Sequence, residues 1–113
     1  MLVSSYGHTD VGFVREKNED SFLADDERGI YAVADGVGGL PFGALASKLA
    51  IQFFQSSIHP FSDFSSGIQL RELAHTIHQN IVACGQVVSG ESGIGCTFSG
   101  VRYTDGKFVY LHV

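Results

Sequence analysis

Five consecutive residues with largely apolar side chains, Ile30-Tyr31-Ala32-Val33-Ala34, follow a polar turn, Asp25-Asp26-Glu27-Arg28-Gly29, and stop at Asp35-Gly36-Val37-Gly38-Gly39. An apolar run this short, bounded by turn residues and glycines, reads as a strand rather than a helix. Ser21-Phe22-Leu23-Ala24 precedes the turn and supplies a partner, so residues 21–34 read as a hairpin. The second strand is nearly all apolar, and burial on both of its faces is expected. A further short apolar–polar run, Leu2 to Tyr6, also reads as β.

The middle of the chain changes period. Leu45, Ala46, Leu49, Ala50, Phe53 and Phe54 recur with helical spacing, with Pro41 where a first-turn proline is tolerated and Pro60 beyond the expected end. A second helix is expected from Ser66-Gly67-Ile68-Gln69, where serine and a glutamine three residues on fit a capping box. Leu70, Leu73, Ala74, Ile77, Ile81, Cys84 and Val88 mark its inner face. The short connection makes the two helices antiparallel neighbours. The period then returns to two. Thr97 to Tyr103 and Phe108 to Val113 flank Thr104-Asp105-Gly106-Lys107, and Asp-Gly between apolar runs is a strong hairpin signal. The order β-β-β-α-α-β-β indicates an α+β fold, with the helices on one face of a largely antiparallel sheet. One domain, 1–113, accounts for the 113 residues. The last residues are strand-like with no turn or cap after them, so the chain is expected to be a truncated N-terminal part of a larger domain.

Charge is unevenly placed. The net charge of −5 sits wholly in residues 1–35, with eight acids against three bases, and the remaining acids and bases balance. This argues against a nucleic-acid surface, which needs a basic stripe. No stretch is apolar enough to span a membrane, and no signal peptide is visible. Cys84 and Cys96 are too few for a disulfide framework and read as reduced thiols of a cytoplasmic protein.

The acids carry a sharper message. Glu19-Asp20 leads into one hairpin strand and Asp35 closes the other, so antiparallel pairing is expected to bring Glu19, Asp20 and Asp35 together. Unpaired carboxylates at one place repel, and a hard divalent cation such as Mg²⁺ or Mn²⁺ relieves that cost. Gly36 allows a backbone carbonyl to turn toward the same ion. Arg15 offers a guanidinium suited to a phosphate. The competing reading is a solvated acidic face with Arg15 paired to Glu16 or Glu19. The glycine turn lacks the lysine and hydroxyl of a P-loop. Asp25 to Gly29 lacks the ligand pattern of an EF-hand and reads as a solvated turn. His75 and His78 have no fitting third zinc ligand, and His8, His59 and His112 read as structural.

Asp10-x-Gly12-x-x-Arg15-x-x-Asn18-Glu19-Asp20, followed by Val33-Ala34-Asp35-Gly36-Val37-Gly38-Gly39, resembles the opening of the bacterial type 2C serine/threonine protein phosphatases, the metal-dependent (PPM) family. Gly95-Cys96-Thr97, Asp105-Gly106-Lys107 and Tyr110-Leu111-His112-Val113 resemble the run that leads into that family's Gly-Asp-Ser-Arg strand. The resemblance covers the whole chain, and its motifs are specific in combination. It implies part of an αββα sandwich. It implies that Asp35 bridges two Mn²⁺ or Mg²⁺ ions, that Gly36 lends its carbonyl to one, and that Glu19 and Asp20 bind metal directly or through water. It implies as well that Arg15 holds the substrate phosphate. The implied reaction is hydrolysis of phosphoserine or phosphothreonine in protein substrates by metal-activated water, as in bacterial signalling.

Two departures bear on this. Val37 stands where many eukaryotic members have a histidine thought to protonate the leaving group. The family's later Gly-Asp-Ser-Arg and two later metal aspartates have no counterpart here, since only Asp63 and Asp105 follow Asp35 as aspartates. Reduced metal occupancy and little or no catalysis are therefore expected of this chain alone. Open sheet edges, above all Phe108 to Val113, are expected to promote self-association. The alternative is a non-catalytic, phosphatase-like interaction module.

Overall fold

The computed structural model describes residues 4–13, 18–36, 42–58, 67–89, 94–104 and 106–112. Six elements follow in order: β1 (Asp20–Asp25), β2 (Ile30–Gly36), α1 (Gly43–Ser57), α2 (Gly67–Ser89), β3 (Cys96–Thr104) and β4 (Lys107–His112). The strands form one antiparallel sheet in the order β1-β2-β3-β4. Ser4 to Tyr6 lie outside any strand, and residues 1–3 are outside the described residues, so the expected strand over Leu2 to Tyr6 is not found among the described ones. Pro41, Pro60 and Ser66, read as helix-boundary signals, also lie outside them.

Both hairpins follow from local chemistry. In the first, Asp25 Oδ1 accepts the Arg28 amide proton at 3.2 Å, and the Arg28 Nε lies 3.5 Å from Asp25 Oδ2. Arg28 Nη1 also donates to the carbonyls of Gln55 and Ile58, at 3.0 and 3.4 Å. The last carbonyls of a helix have no partner within it. The turn is therefore fastened to the C-terminal end of α1 rather than merely solvated. In the second hairpin Thr104 pairs with Lys107, and Gly106 takes a positive φ of 76°, the conformation that a tight Asp-Gly turn requires.

Helix α1 lies across β1, β2 and β3, while α2 packs on α1 and β4. The buried stripe of α1 is Gly43, Ala46, Ser47, Ala50, Ile51 and Phe54, at the helical repeat. Leu45, Leu49 and Phe53 are only half-buried, so the inner face is turned slightly from the one read in the sequence. Leu73, Ile77 and Ile81 of α2 join Ile30, Ala32, Ala34 and Phe98 of the sheet in one core. Phe54 and Phe98 meet with ring centroids 5.2 Å apart. Full burial of a side chain such as Phe54 contributes roughly 2–3 kcal/mol. Ser47 is buried but satisfied, by the Ala44 carbonyl and by Ser21 Oγ, each at 3.1 Å.

Strand β2 corrects an expectation. Its residues alternate, with Ile30, Ala32, Ala34 and Gly36 buried against the helices and Val33 60% exposed on the other side. The helices cover one face only. Asp35, two residues along from Val33, lies on that uncovered face, and this fixes where the acids of the sequence end up.

Candidate metal and phosphate site

Asp20 and Asp35 are direct cross-strand partners. Partners in a sheet present their side chains on the same face, so the two carboxylates stand side by side at one end of the uncovered face. Both residues are exposed. Thr97 of β3 is opposite Asp35 in the next strand and completes the row. Asp20 is set in place by Asn18, two residues before β1. Asn18 Oδ1 accepts the Asp20 amide proton at 3.0 Å, while Asn18 Nδ2 donates to Thr9 Oγ1 at 2.9 Å. Ahead of it, Asp10 Oδ1 accepts the Gly12 amide proton at 2.8 Å. These local bonds tie the motif read in the sequence to the start of β1.

A pocket of about 240 Å³ opens beside the two carboxylates. His8, Asp20, Phe22, Val33, Asp35 and Ser99 are among its walls. Ser99 Oγ lies 2.6 Å from His112 Nδ1, its cross-strand partner on β4. His8 and His112, read as merely structural, therefore stand in and next to the pocket. Nothing local in the sequence signals this. It depends on the pairing of β2 with β3, which joins residues some sixty positions apart.

Gly36 closes the other side. Its amide donates to the Glu19 carbonyl at 2.9 Å. A Cβ at position 36 would overlap the Gly43 carbonyl at the start of α1, so only glycine lets the helix approach the end of β2 so closely.

The expected convergence of three carboxylates is met for two. Glu19 immediately precedes β1, and its side chain does not join that of Asp20 on the open face. The Glu19 carboxylate lies on the helix side, its carboxyl carbon 2.9 Å from where a Cβ on Gly43 would stand. Helix α1 has no side-chain N-cap bond and no acid in its first turn. The Glu19 carboxylate thus sits where the free amides and positive dipole end of α1 favour an anion. Among the described residues no group of three or more His, Cys, Asp or Glu side chains is placed to hold a metal ion. Arg15, the expected phosphate ligand, and Val37 lie outside the described residues.

What remains suits a hard cation in part. Asp20 and Asp35 give two adjacent oxygen donors on an open surface, and among the described residues no side chain hydrogen-bonds to the Asp35 carboxylate. The negative field of this end is felt by Cys96 on β3. Burial pushes its thiol pKa up, and Asp35 pushes it further. Its Sγ lies 3.6 Å from the Ala46 carbonyl, and both cysteines are free. His75 and His78 are exposed on α2. No helix of the described residues is long and apolar enough to cross a membrane.

No protein-family model matches the chain. The serine/threonine protein phosphatase PstP of Mycobacterium tuberculosis is 30% identical over 116 aligned positions, covering 99% of this chain and 22% of PstP. The crystal structure of the PPM Ser-Thr phosphatase MsPP from Mycobacterium smegmatis, in complex with cacodylate, superposes with a TM-score of 0.78 at 26% identity. It covers 99% of this chain and 46% of MsPP. The catalytic domain of PstP in complex with two manganese ions superposes with a TM-score of 0.72 at 23% identity, covering 92% of this chain and 52% of that one, and shows the likeness of fold. The chain thus spans about a fifth of its curated relative and about half of each solved domain.

Proposed function

We propose, on the premise that this chain is kin over nearly its whole length to part of the bacterial PPM-type serine/threonine phosphatases, that it carries the first half of such an enzyme's site for divalent metal and substrate phosphate. The observation that supports this reading is the pairing of Asp20 with Asp35 on one face at the end of the sheet, beside the 240 Å³ pocket. Two adjacent carboxylates exposed to water are the start of an oxygen-ligand site for Mn²⁺ or Mg²⁺.

In this reading Asp35 and Asp20 hold the ion and Gly36 lends its carbonyl. Glu19 fixes Gly36 through the hydrogen bond its carbonyl accepts from the Gly36 amide and supports α1 with its carboxylate, reaching the ion only if that side chain turns from the helix. Arg15 holds the phosphate of a phosphoserine or phosphothreonine protein. A bound divalent ion lowers the pKa of water and neutralises phosphoryl oxygens. The setting is a cytoplasmic signalling pathway, and the open sheet of this chain makes it self-associate.

Titration calorimetry with Mn²⁺ tests the reading. The wild-type chain is expected to bind Mn²⁺ weakly, Asp35→Ala to lose that binding, and para-nitrophenyl phosphate hydrolysis to stay at background. Equal Mn²⁺ binding by the wild type and Asp35→Ala overturns it. A second reading, a non-catalytic interaction module of phosphatase-like fold, is favoured by one observation: the described residues assemble two carboxylates and not three. Absence of any Mn²⁺ binding by a folded wild type supports that alternative.

A further inference from the structure

The two paired acids have neighbours that meet the helix. Glu19 precedes Asp20, Gly36 follows Asp35, and the Gly36 amide donates to the Glu19 carbonyl at 2.9 Å. One hydrogen bond beyond the acids therefore closes this end of the hairpin. Both neighbours then touch the same residue of α1. A Cβ on Gly36 would overlap the Gly43 carbonyl. A Cβ on Gly43 would stand 2.9 Å from the Glu19 carboxyl carbon and 3.0 and 3.1 Å from its Oε2 and Oε1. Gly36 and Gly43 are buried and Glu19 is half-buried. The start of α1 has little else to hold it. Phe42 enters the helix at a φ of 60°, a left-handed value that a bulky residue adopts only where its surroundings impose it. No side chain caps the first turn and no acid lies in it. Where α1 begins is thus set by its contact with Glu19 and Gly36 rather than by a signal within the helix.

We infer that Gly43 is a positioning residue of the metal end, and that divalent-ion binding and the first turn of α1 are coupled through Glu19 and Gly36. The inference rests on the metal reading above and goes beyond it. Gly43 leaves the room in which the Glu19 carboxylate lies. The Glu19 carbonyl holds the Gly36 amide. As chain neighbours, Glu19 and Gly36 fix the spacing of Asp20 and Asp35. Glu19 acts in this way from the helix side, as a support and not as a ligand. An ion that draws Asp20 and Asp35 into one arrangement stiffens the bond between their neighbours. By reciprocity, whatever loosens that bond weakens binding of the ion by the same factor. Groups that only orient metal ligands commonly change affinity by about 10–100-fold when altered.

Two measurements on the 113-residue chain test it: Mn²⁺ binding, read from the electron paramagnetic resonance of the free ion, and hydrogen exchange by mass spectrometry. Gly43→Ala alters no proposed ligand, but its methyl group displaces the Glu19 carboxylate, and it is expected to weaken Mn²⁺ binding about tenfold. Glu19→Gln keeps the carbonyl and the shape and is expected to change binding about threefold or less. Arg28→Gln loosens the opposite end of α1, where Arg28 bonds to the carbonyls of Gln55 and Ile58, and is expected to leave Mn²⁺ affinity unchanged. That control separates coupling from a general loss of stability. In the wild type, saturating Mn²⁺ is expected to slow exchange at least about threefold in peptides holding the Gly36 amide and the Ala46 amide, which donates to the Phe42 carbonyl at 3.0 Å. Circular dichroism establishes that each variant folds, and should Gly43→Ala fail to fold, the wild-type exchange decides. Gly43→Ala that binds Mn²⁺ as the wild type does, or exchange that Mn²⁺ leaves unchanged, overturns the coupling while the metal reading stands. Glu19→Gln that abolishes binding, or Ala46 exchange that quickens with Mn²⁺, makes Glu19 a ligand drawn off the helix and overturns it as well. A wild type that binds no Mn²⁺ overturns the metal reading and the coupling together.

Discussion

Arg102 lies on the helix-facing side of β3, in the row of Ile30 and Val109, and is only 7% exposed. Its Nε and Nη1 are buried and, among the described residues, find no acceptor to donate to. An unsatisfied buried donor costs roughly 1–3 kcal/mol, more when the group is charged. A guanidinium also keeps its charge inside proteins, so it has no route to neutrality. Arg102→Met retains an unbranched apolar stem against the same neighbours and removes the charge and both orphaned donors. Residual hydration of the third nitrogen and the flexibility of methionine offset part of the gain. The expected net effect is a stabilisation of about 1–3 kcal/mol. With a urea slope of roughly 1–3 kcal/mol/M, a gain near the middle of that range moves the unfolding midpoint upward by about 1 M. Arg102→Lys keeps a buried ammonium and is expected to give no such gain, which separates charge from packing. Urea titration followed by circular dichroism measures all three proteins. A lower midpoint for Arg102→Met refutes the reasoning, because it means that the guanidinium contributes more as a partner than it costs as a buried charge.

Gly36→Ala is expected to cost about 1–3 kcal/mol by overpacking, since the new methyl group meets the backbone of Gly43 at the start of α1. The urea midpoint reads this, and an unchanged midpoint means that α1 can shift away from β2 freely. Asp26 gives the pH prediction. Its carboxylate accepts from Ser5 Oγ at 2.7 Å and Tyr31 Oη at 2.9 Å, and these bonds, the Ser5 bond first, hold its pKa below the ordinary 3.8. A depressed folded pKa gives stability that is present above the unfolded value and lost as pH falls through the folded one. Asp26→Asn is therefore expected to flatten the acid limb of the stability curve below about pH 4, with little effect near neutrality. Midpoints measured across that range check this, and an acid limb as steep in the variant as in the wild type counts against it.

Much of the architecture was legible because it is local. The Asp-Gly turn, the apolar run of β2 and the helical spacing through Phe54 and Ile81 each depend on a few neighbouring residues. The errors share one cause. A run of apolar residues says that a strand is apolar, not that both of its faces are covered, and Val33 lies open because the helices occupy one side only. Likewise adjacency in sequence does not say where two side chains go: Glu19 immediately precedes β1 and its carboxylate lies against the start of α1, while Asp20 stands on the open face. Arg102 was invisible because Val101-Arg102-Tyr103 alternates in polarity in the wrong phase: the charged residue points inward and Tyr103 outward. Arg15, on which the phosphate reading leans, lies outside the described residues.

The carboxylates and the apolar face share one alternation. Asp35 and Val33 are two residues apart on β2, and Asp20 and Phe22 two apart on β1, so each acid lies on the surface that its apolar neighbour exposes. Whatever covers Phe22 and Val33 must therefore pass next to Asp20 and Asp35 and close the pocket that these four residues wall together. Closure lowers the local dielectric and makes two adjacent carboxylates more costly to leave without a cation. The weakness expected of the metal site and the exposure of the sheet are then one fact. Two exposed carboxylates at the rim of an open sheet make a weak site for a divalent ion, and they gain affinity when the surface beside them is taken out of water.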